Sequence, residues 1–118
     1  MLITSSRRQR WTIPKGFVKT GLAPIDSAAE EAWEEAGIRG VVSQAPVGSY
    51  VRTRRALLLS VTVFSMHVKK IFEIWPEHWK RQRQWLSIAE AVAIIEEPGL
   101  RGIIAKFGIW FAETQADA

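Results

Sequence analysis

The feature that most restricts how this chain can fold is an acidic segment, DSAAEEAWEEAGI, at residues 26–38. Pro24 suits the first turn of a helix and Gly37 suits its termination, so the segment predicts a helix over 24–36. Residues three and four positions apart share one face of a helix. That face carries three carboxylates: Glu31, Glu34 and Glu35. The opposite face is apolar and carries Ala29, Trp33 and Ala36. The predicted helix is therefore amphipathic, with an acidic polar side.

A basic chain that places like charges side by side needs something to balance them. The formal net charge is +4, and no Lys or Arg lies within 26–38. Each like-charge pair costs roughly 0.2 to 0.5 kcal/mol on an isolated helix. Two interpretations of the helix are open. It presents either a solvated face whose charges water screens, or half of a site for a hard cation such as Mg²⁺, which carboxylates bind and substrate phosphates complete.

The residues before the helix favour the cation site. No acidic residue precedes Asp26. Five basic residues do: Arg7, Arg8, Arg10, Lys15 and Lys19. A basic rim beside an acidic cluster indicates an anionic ligand that cations bridge to the protein. A second basic segment, HWKRQRQW at 78–85, alternates with aromatic residues as single-strand nucleic-acid platforms do. The acidic helix argues against that use, and we expect no nucleic-acid partner.

Length and composition limit the remaining possibilities. A chain of 118 residues fits one domain, residues 1–118, and a hydrophobic content of 47% predicts that it folds. The absence of cysteine excludes disulfides, zinc ribbons and thiol nucleophiles, so any metal must bind to oxygen or histidine. No apolar run approaches the ~20 residues of a membrane helix. We expect a soluble, cytoplasmic protein with no membrane partner.

Strands and helices alternate along the chain. Five segments are predicted to form or begin with strands: 2–5, 10–16, 47–52, 56–68 and 83–87. The apolar run 56–68 is interpreted as one long strand. Ser87 and Glu90 form a capping-box pattern for a short helix through Ile95, and a second helix begins after Pro98. This alternation predicts an α/β fold in which helices cover a mixed sheet.

Apolar and aromatic residues near the end of the chain predict how the last helix packs. A stripe at three- and four-residue spacing is expected to face the core: Leu100, Ile103, Ile104, Phe107, Trp110 and Phe111. Trp33 is also expected in the core. Three other tryptophans have two interpretations, packing at the core or rim, or stacking on an adenine base: Trp75, Trp79 and Trp85.

Residues 16–38, GFVKTGLAPIDSAAEEAWEEAGI, resemble the Nudix box, G-x5-E-x7-R-E-U-x-E-E-x-G-U, where U is aliphatic. Six positions match at the right spacing: Gly16, Glu31, Glu34, Glu35, Gly37 and Ile38. Ala32 is a small substitute at the first U. The flanking segments RWTIPKG, VGSY, VTVF, WPE and RQRQWLSIAEA extend the similarity over nearly the whole chain. They resemble the branch of the family that hydrolyses diadenosine polyphosphates and diphosphoinositol polyphosphates.

The resemblance implies a fold and an assembly. It implies the α/β/α Nudix fold, in which a mixed sheet is sandwiched between helices. Related chains usually have another strand before the one that corresponds to residues 2–5, and Met1 here lies almost on that strand. We therefore expect either that the sequence is a truncated reading of a longer gene or that the sheet lacks the usual first strand and has an uncovered edge. An uncovered sheet edge can pair with a second copy, so we expect a homodimer.

The resemblance also implies a chemistry, the Mg²⁺-dependent hydrolysis of a diphosphate linkage in a small phosphorylated substrate, with Mn²⁺ as a substitute metal. The implied catalytic and metal-binding residues are the three box carboxylates, Glu31, Glu34 and Glu35, joined by the carbonyl oxygen of Lys15. Gly16 would let the loop turn close to the metal. The general base varies in the family, and three residues are candidates: Glu31, Glu73 and Glu77. Candidates to hold phosphates are the basic residues Lys15, Arg52, Arg54, Arg55, Arg81 and Arg83.

Two positions depart from the box pattern. Leu22 stands where Glu is expected, and Glu30 stands where Arg is expected. In the family, those two positions commonly form an ion pair that connects the loop to the helix. Because both partners are replaced here, neither is left as an unpaired charge. Glu30 nevertheless adds negative charge, and Leu22 removes an outer metal contact. An alternative function is therefore a nucleotide-binding or regulatory module with weak or no catalysis.

Overall fold

The computed structural model describes residues 1–116. Its strands are β1 (Leu2–Thr4), β2 (Trp11–Thr12), β3 (Ile38–Val42), β4 (Gly48–Arg54), β5 (Leu57–Val63), β6 (Met66–Ile71) and β7 (Arg83–Gln84). Its helices are α1 (Pro24–Glu31), α2 (Ile88–Ile94) and α3 (Pro98–Ala116). A π-helical turn, Ala32–Ala36, continues α1 without a break. The predicted helix over 24–36 is thus confirmed in position, and its last turn is wider than an α-helix.

The strands pair in three small sheets, and each pair is antiparallel. β1 lies between β2 and β7, β3 pairs with β6, and β4 pairs with β5. The α/β Nudix fold is confirmed, although the strands are divided over these sheets rather than joined in one. β1 has a partner on both sides, so it is not the free edge on which the homodimer was argued. The homodimer remains a prediction.

The apolar run 56–68 is not one strand as predicted. It divides into β5 and β6, separated by Phe64 and Ser65. The side chain of Ser43 holds this break, because its Oγ lies 3.1 Å from Ser65 Oγ, and the amide of Ser43 donates to the carbonyl of Ser65 at 2.9 Å. β3 was not predicted at all. Three of its five residues are exposed, so it lacks the apolar pattern that identifies strands.

The core consists of two clusters. The larger one joins β4 and β5 to the last two helices through Leu2, Tyr50, Val63, Ala91, Ile95 and Leu100. The smaller one lies beneath the acidic helix and contains Ile3, Ala32, Ala36 and Ile38. Ile3 and Ala36 are fully buried. Ala32 and Ala36 of the acidic helix therefore pack on β1 and β3, so only Ala36 of the predicted apolar face lies in this cluster. Ala29 and Trp33 are partly buried, and Glu35 on the predicted acidic face is buried.

The apolar stripe of α3 faces the core over only part of its length. Leu100 is fully buried, whereas Trp110 is 55% exposed and Phe111 is 49% exposed. The prediction that these two aromatic residues belong to the core is wrong, because α3 extends beyond the elements that cover its first half. Trp33 is only half-buried, and its ring packs against Phe72 and under the guanidinium of Arg39. Within residues 1–116, no helix has both the length and the hydropathy to cross a membrane.

Candidate functional site

The last turn of the acidic helix is held by donors from a distant part of the chain. The carbonyl of Glu34 accepts from the amide of Glu77 at 3.0 Å, and that of Glu35 accepts from Trp75 Nε1 at 3.0 Å. The carbonyl of Gly37 accepts from the amide of Phe72 at 2.9 Å. Carbonyls at a helix end have no partner within the helix. The segment after β6 supplies those partners and so fixes the backbone that carries two of the box carboxylates.

Arg83 completes this arrangement from β7. Its Nη1 donates to the carbonyl of Ala36 at 2.7 Å, and its Nη2 donates to the carbonyl of Phe72. Its guanidinium lies 3.9 Å from the centre of the Trp75 ring. Gly37, at φ 66°, ends the helix directly beneath it, and a Cβ there would lie 2.7 Å from Arg83 Nη1. We therefore assign Arg83 a structural role in place of the predicted contact with phosphate.

The loop at 15–19 lies across the acidic face. The amide of Lys15 donates to Glu35 Oε1 at 3.4 Å. A Cβ on Gly16 would lie 2.6 Å from both Cδ and Oε1 of Glu31, so any larger residue would displace that carboxylate. Lys19 Nζ contacts Glu34 Oε1 at 2.6 Å and Glu31 Oε1 at 3.8 Å. The structure thus brings the basic loop and the three box carboxylates together.

Ser27 attaches this loop to the helix, a role that sequence reasoning missed. Its side chain is buried; its Oγ accepts from the amide of Lys19 at 3.1 Å and contacts the carbonyl of Phe17 at 3.4 Å. The available signal was spacing, because Ser27 lies four residues before Glu31 and therefore on the same face. No side-chain hydrogen bond or ion pair joins Leu22 to Glu30 within residues 1–116, whereas Ser27 and Lys19 connect the loop to the helix.

The two carboxylates nearest to Gly16 and Lys15 are largely withdrawn from water. The side chain of Glu31 is 12% exposed and that of Glu35 is 7% exposed, whereas Glu34 is 33% exposed. Burial, followed by a hydrogen bond to Glu31, raises the pKa of Glu35 to about 8, although Arg81 opposes the shift. Two ionised carboxylates that lie close together away from water repel each other strongly unless a cation balances their charge.

This donor set fits a hard divalent cation, since it consists only of oxygen atoms and is partly desolvated. Glu31 and Glu35 form the pair that meets this requirement. Glu34 is linked to Glu31 through Lys19, and within residues 1–116 no three acidic or histidine side chains already converge on one point. The predicted set of three carboxylate ligands therefore remains a prediction, and so does the carbonyl oxygen of Lys15.

The remaining candidate residues divide between the site and the surface. Lys15 lies beside Arg52, and its burial together with that positive neighbour lowers the pKa of its ammonium group. Both residues line a cavity, as does Arg54. Arg55 lies in the exposed turn between β4 and β5. Glu73 is exposed to solvent. Arg55 and Glu73 are both exposed, so the role of Arg55 as a phosphate contact and that of Glu73 as the general base remain predictions.

Glu77 and Arg81 form a partly buried ion pair. Glu77 Oε1 accepts from Arg81 Nε at 2.9 Å and lies 2.8 Å from Arg81 Nη2, and Arg81 is only 11% exposed. Arg81 and Arg83 are the central basic residues of HWKRQRQW, and both point into the protein. Both arginines are thus occupied within the protein, and the expectation of no nucleic-acid partner remains a prediction.

A cavity of about 820 Å³ opens beside the loop. Its polar wall includes Lys15, Glu31, Arg52 and Arg54. Most of its other lining is apolar and includes Ile13, Leu59, Val61, Val63, Ile103 and Ile104. Trp85 is 53% exposed and lies at this cavity, whereas Trp79 lies on the surface under Lys80 and Trp75 is buried under Arg83. Of the three uncertain tryptophans, Trp85 is the one placed to contact a ligand.

Replacement of Gly16 by alanine should displace the Glu31 carboxylate. The added Cβ would lie 2.6 Å from it, so this carboxylate, the end of a flexible side chain, must move. We expect Gly16→Ala to weaken Mn²⁺ binding about 10-fold, the scale on which metal affinity responds to displaced ligands. Isothermal titration calorimetry measures this. Gly21→Ala is the control, because a Cβ there meets nothing within 4 Å, although its φ of 84° adds strain. Equal affinities in the wild type and Gly16→Ala would contradict the prediction.

Comparisons with known proteins agree with this geometry. The NUDIX domain profile matches residues 1–107. Nudix hydrolase 16, mitochondrial, from Arabidopsis thaliana is 30% identical over 122 residues, which cover 96% of this chain and 67% of that protein. Nudix hydrolase 13, mitochondrial, from the same plant is 26% identical over 117 residues, covering 91% and 58%. Diphosphoinositol polyphosphate phosphohydrolase 2 from Rattus norvegicus is 29% identical over 99 residues, covering 81% and 54%. The chain thus spans a little over half to two thirds of these relatives.

Proposed function

This chain belongs to the Nudix family, and on that basis we propose that it is a Mg²⁺-dependent hydrolase of phosphoric anhydride bonds in a small phosphorylated substrate. One observation carries the proposal: Glu31 and Glu35, largely withdrawn from water, meet beneath a loop in which Gly16 lies directly against the Glu31 carboxylate. A solvated acidic face would not need a buried carboxylate or a close glycine. The cation-site interpretation is therefore favoured over the solvated face.

The residues of the site have distinct roles in this proposal. Glu31 and Glu35 would hold the cation, which when bound neutralises phosphate charge and lowers the pKa of an attacking water. Lys15 and Arg52, on the wall of the cavity, would orient the phosphates. Glu31 is the candidate base that lies next to the loop, whereas Glu77 is occupied by Arg81. We therefore prefer Glu31 as the group that accepts the proton of the water.

The cavity favours one of the two expected substrate classes. Its lining is mainly apolar, and the partly exposed Trp85 offers an aromatic face. A nucleobase has an apolar face that stacks on aromatic rings, whereas an inositol polyphosphate is charged on all sides. We propose a nucleoside polyphosphate as the preferred substrate and an inositol pyrophosphate as the poorer one.

A substrate screen tests both the metal dependence and the substrate class that we propose. Purified protein is incubated with dinucleoside polyphosphates, nucleotide sugars and inositol pyrophosphates, with and without Mg²⁺ or Mn²⁺. We expect product only with the metal, and faster release from nucleoside polyphosphates. Turnover that persists in EDTA would contradict metal dependence, and faster cleavage of inositol pyrophosphates would contradict the assignment of the cavity.

Loss of the usual box ion pair favours a second candidate, a nucleotide-binding module with weak or no catalysis. Leu22 is 37% exposed, and its side chain has no ionic partner to offer position 30. Ligand binding without product over hours would support this function. The same measurement therefore separates the two candidates.

If Leu22 and Glu30 together replace the two partners of one ion pair, restoration of that pair should increase turnover. We expect Leu22→Glu combined with Glu30→Arg to raise turnover more than the product of the two single effects, because either change alone leaves a charge unpaired. Coupling between interacting residues is about 0.5 to 3 kcal/mol, or roughly 2-fold to 100-fold. The four values of kcat/KM give this coupling directly. Independent effects of the two substitutions would show that the two losses were not matched.

A further inference from the structure

We propose that Arg81 is a positioning residue that holds the carboxylate of Glu35 in place for the cation, with Glu77 acting only through Arg81. The inference rests on the proposed function, because it assigns a role toward the same cation. Sequence reasoning instead made Arg81 a phosphate contact and Glu77 a candidate base. The contacts of the two side chains support a different assignment.

All three nitrogen atoms of the Arg81 guanidinium are engaged inside the protein. Nε donates to Glu77 Oε1 at 2.9 Å, and Nη1 donates to the carbonyl of Thr4 at 3.0 Å. Nη2 lies 2.8 Å from Glu77 Oε1 and 3.4 Å from Glu35 Oε1. The Arg81 side chain is only 11% exposed, and each of its three nitrogen atoms contacts a protein oxygen. Its position between two carboxylates suits orientation rather than substrate binding.

The same contacts connect three parts of the fold. Thr4 lies in β1, Glu35 lies in the π-helical turn, and Glu77 lies in the segment that donates to the carbonyl of Glu34. The backbone beside Arg81 is also fixed, because the amide of Gln82 donates to Thr4 Oγ1 at 2.9 Å. Arg81 is therefore held on a rigid base, and its contact with Glu35 limits the rotation of that carboxylate.

The alternatives predict different results. Residues that orient metal ligands change metal affinity about 10-fold to 100-fold when they are lost. If Arg81 only competed as a positive charge for Glu35, its removal would strengthen metal binding. If it contacted phosphate, its removal would raise KM and leave metal affinity unchanged. If Glu77 were the base, its neutralisation would lower kcat without changing metal affinity.

The test measures Mn²⁺ binding to the full chain by calorimetry, without substrate, for the wild type, Arg81→Gln, Glu77→Gln and the double variant. We expect Arg81→Gln to weaken Mn²⁺ binding about 10-fold and Glu77→Gln to weaken it less. The double variant should be no weaker than Arg81→Gln, because Glu77 acts through Arg81. Lys80→Gln is the matched control. Lys80 contacts Glu77 at 3.5 Å but, among residues 1–116, makes no ion pair with Glu35.

Folding is checked by circular dichroism. Arg81→Lys replaces Arg81→Gln if the latter does not fold, since a single ammonium cannot reproduce the contacts of the guanidinium fork and should also weaken binding. Unchanged or tighter Mn²⁺ binding by these variants overturns the inference, as does an additive double variant. A wild type that does not bind Mn²⁺ overturns the proposed function instead, so the two failures are distinguishable.

Discussion

Replacement of Glu35 by glutamine should reduce Mg²⁺-dependent turnover at least about 100-fold. A bound cation contributes several kcal/mol to stabilisation of the transition state, and each 1.36 kcal/mol corresponds to a factor of ten in rate. Glu35 has the most buried carboxylate of the box and lies against Glu31, Arg81 and the amide of Lys15. Its removal should therefore impair cation binding directly. Steady-state kinetics with the best substrate of the screen measures the effect.

The same substitution should leave the fold intact. Glutamine has the shape of glutamate and carries no charge, so it removes the repulsion between Glu35 and Glu31 from a desolvated position. We expect the melting temperature without added metal to be equal to or above that of the wild type. Glu96→Gln serves as the control, because Glu96 is 63% exposed and pairs with Arg10 away from the site. Retention of full Mg²⁺-dependent activity by Glu35→Gln would refute the metal site.

Replacement of Arg83 by methionine should lower the free energy of unfolding by about 3 kcal/mol, since a buried acceptor left without a donor costs about 1 to 3 kcal/mol. The guanidinium donates to the carbonyls of Ala36 and Phe72 and covers the Trp75 ring. Methionine preserves packing on the ring but supplies no donor. Urea denaturation measures the loss. We expect the slope of the unfolding free energy against urea concentration to stay unchanged.

Arg39→Met is the matched control for that experiment. Arg39 also lies over a tryptophan, with its guanidinium 4.5 Å from the centre of the Trp33 ring, but it is exposed on β3. An exposed contact of this kind contributes about 0.5 to 1 kcal/mol. A similar loss in both variants would mean that the carbonyl contacts of Arg83 do not stabilise the helix end.

The candidate site could be predicted only in part from the sequence. The spacing of Glu31, Glu34 and Glu35 and the nearby glycine indicated where a cation would bind, because these residues belong to one local segment. The partners of that segment were not predictable in the same way. Trp75 and Arg83 contact carbonyls of residues 35 and 36, separations of 40 and 47 positions. Whether an arginine faces a phosphate or a carbonyl depends on which strand carries it.

The sequence by itself determined the features that depend on neighbours within a few positions. The helix ending at Gly37 and the capping box of Ser87 and Glu90 are confirmed, because their hydrogen bonds span three to five residues. Only the tertiary structure decided the division of 56–68, the exposure of Trp110 and the pairing of Arg81 with Glu35 and Glu77. Those outcomes depend on long-range packing, where a side chain takes whichever partner the folded chain places beside it.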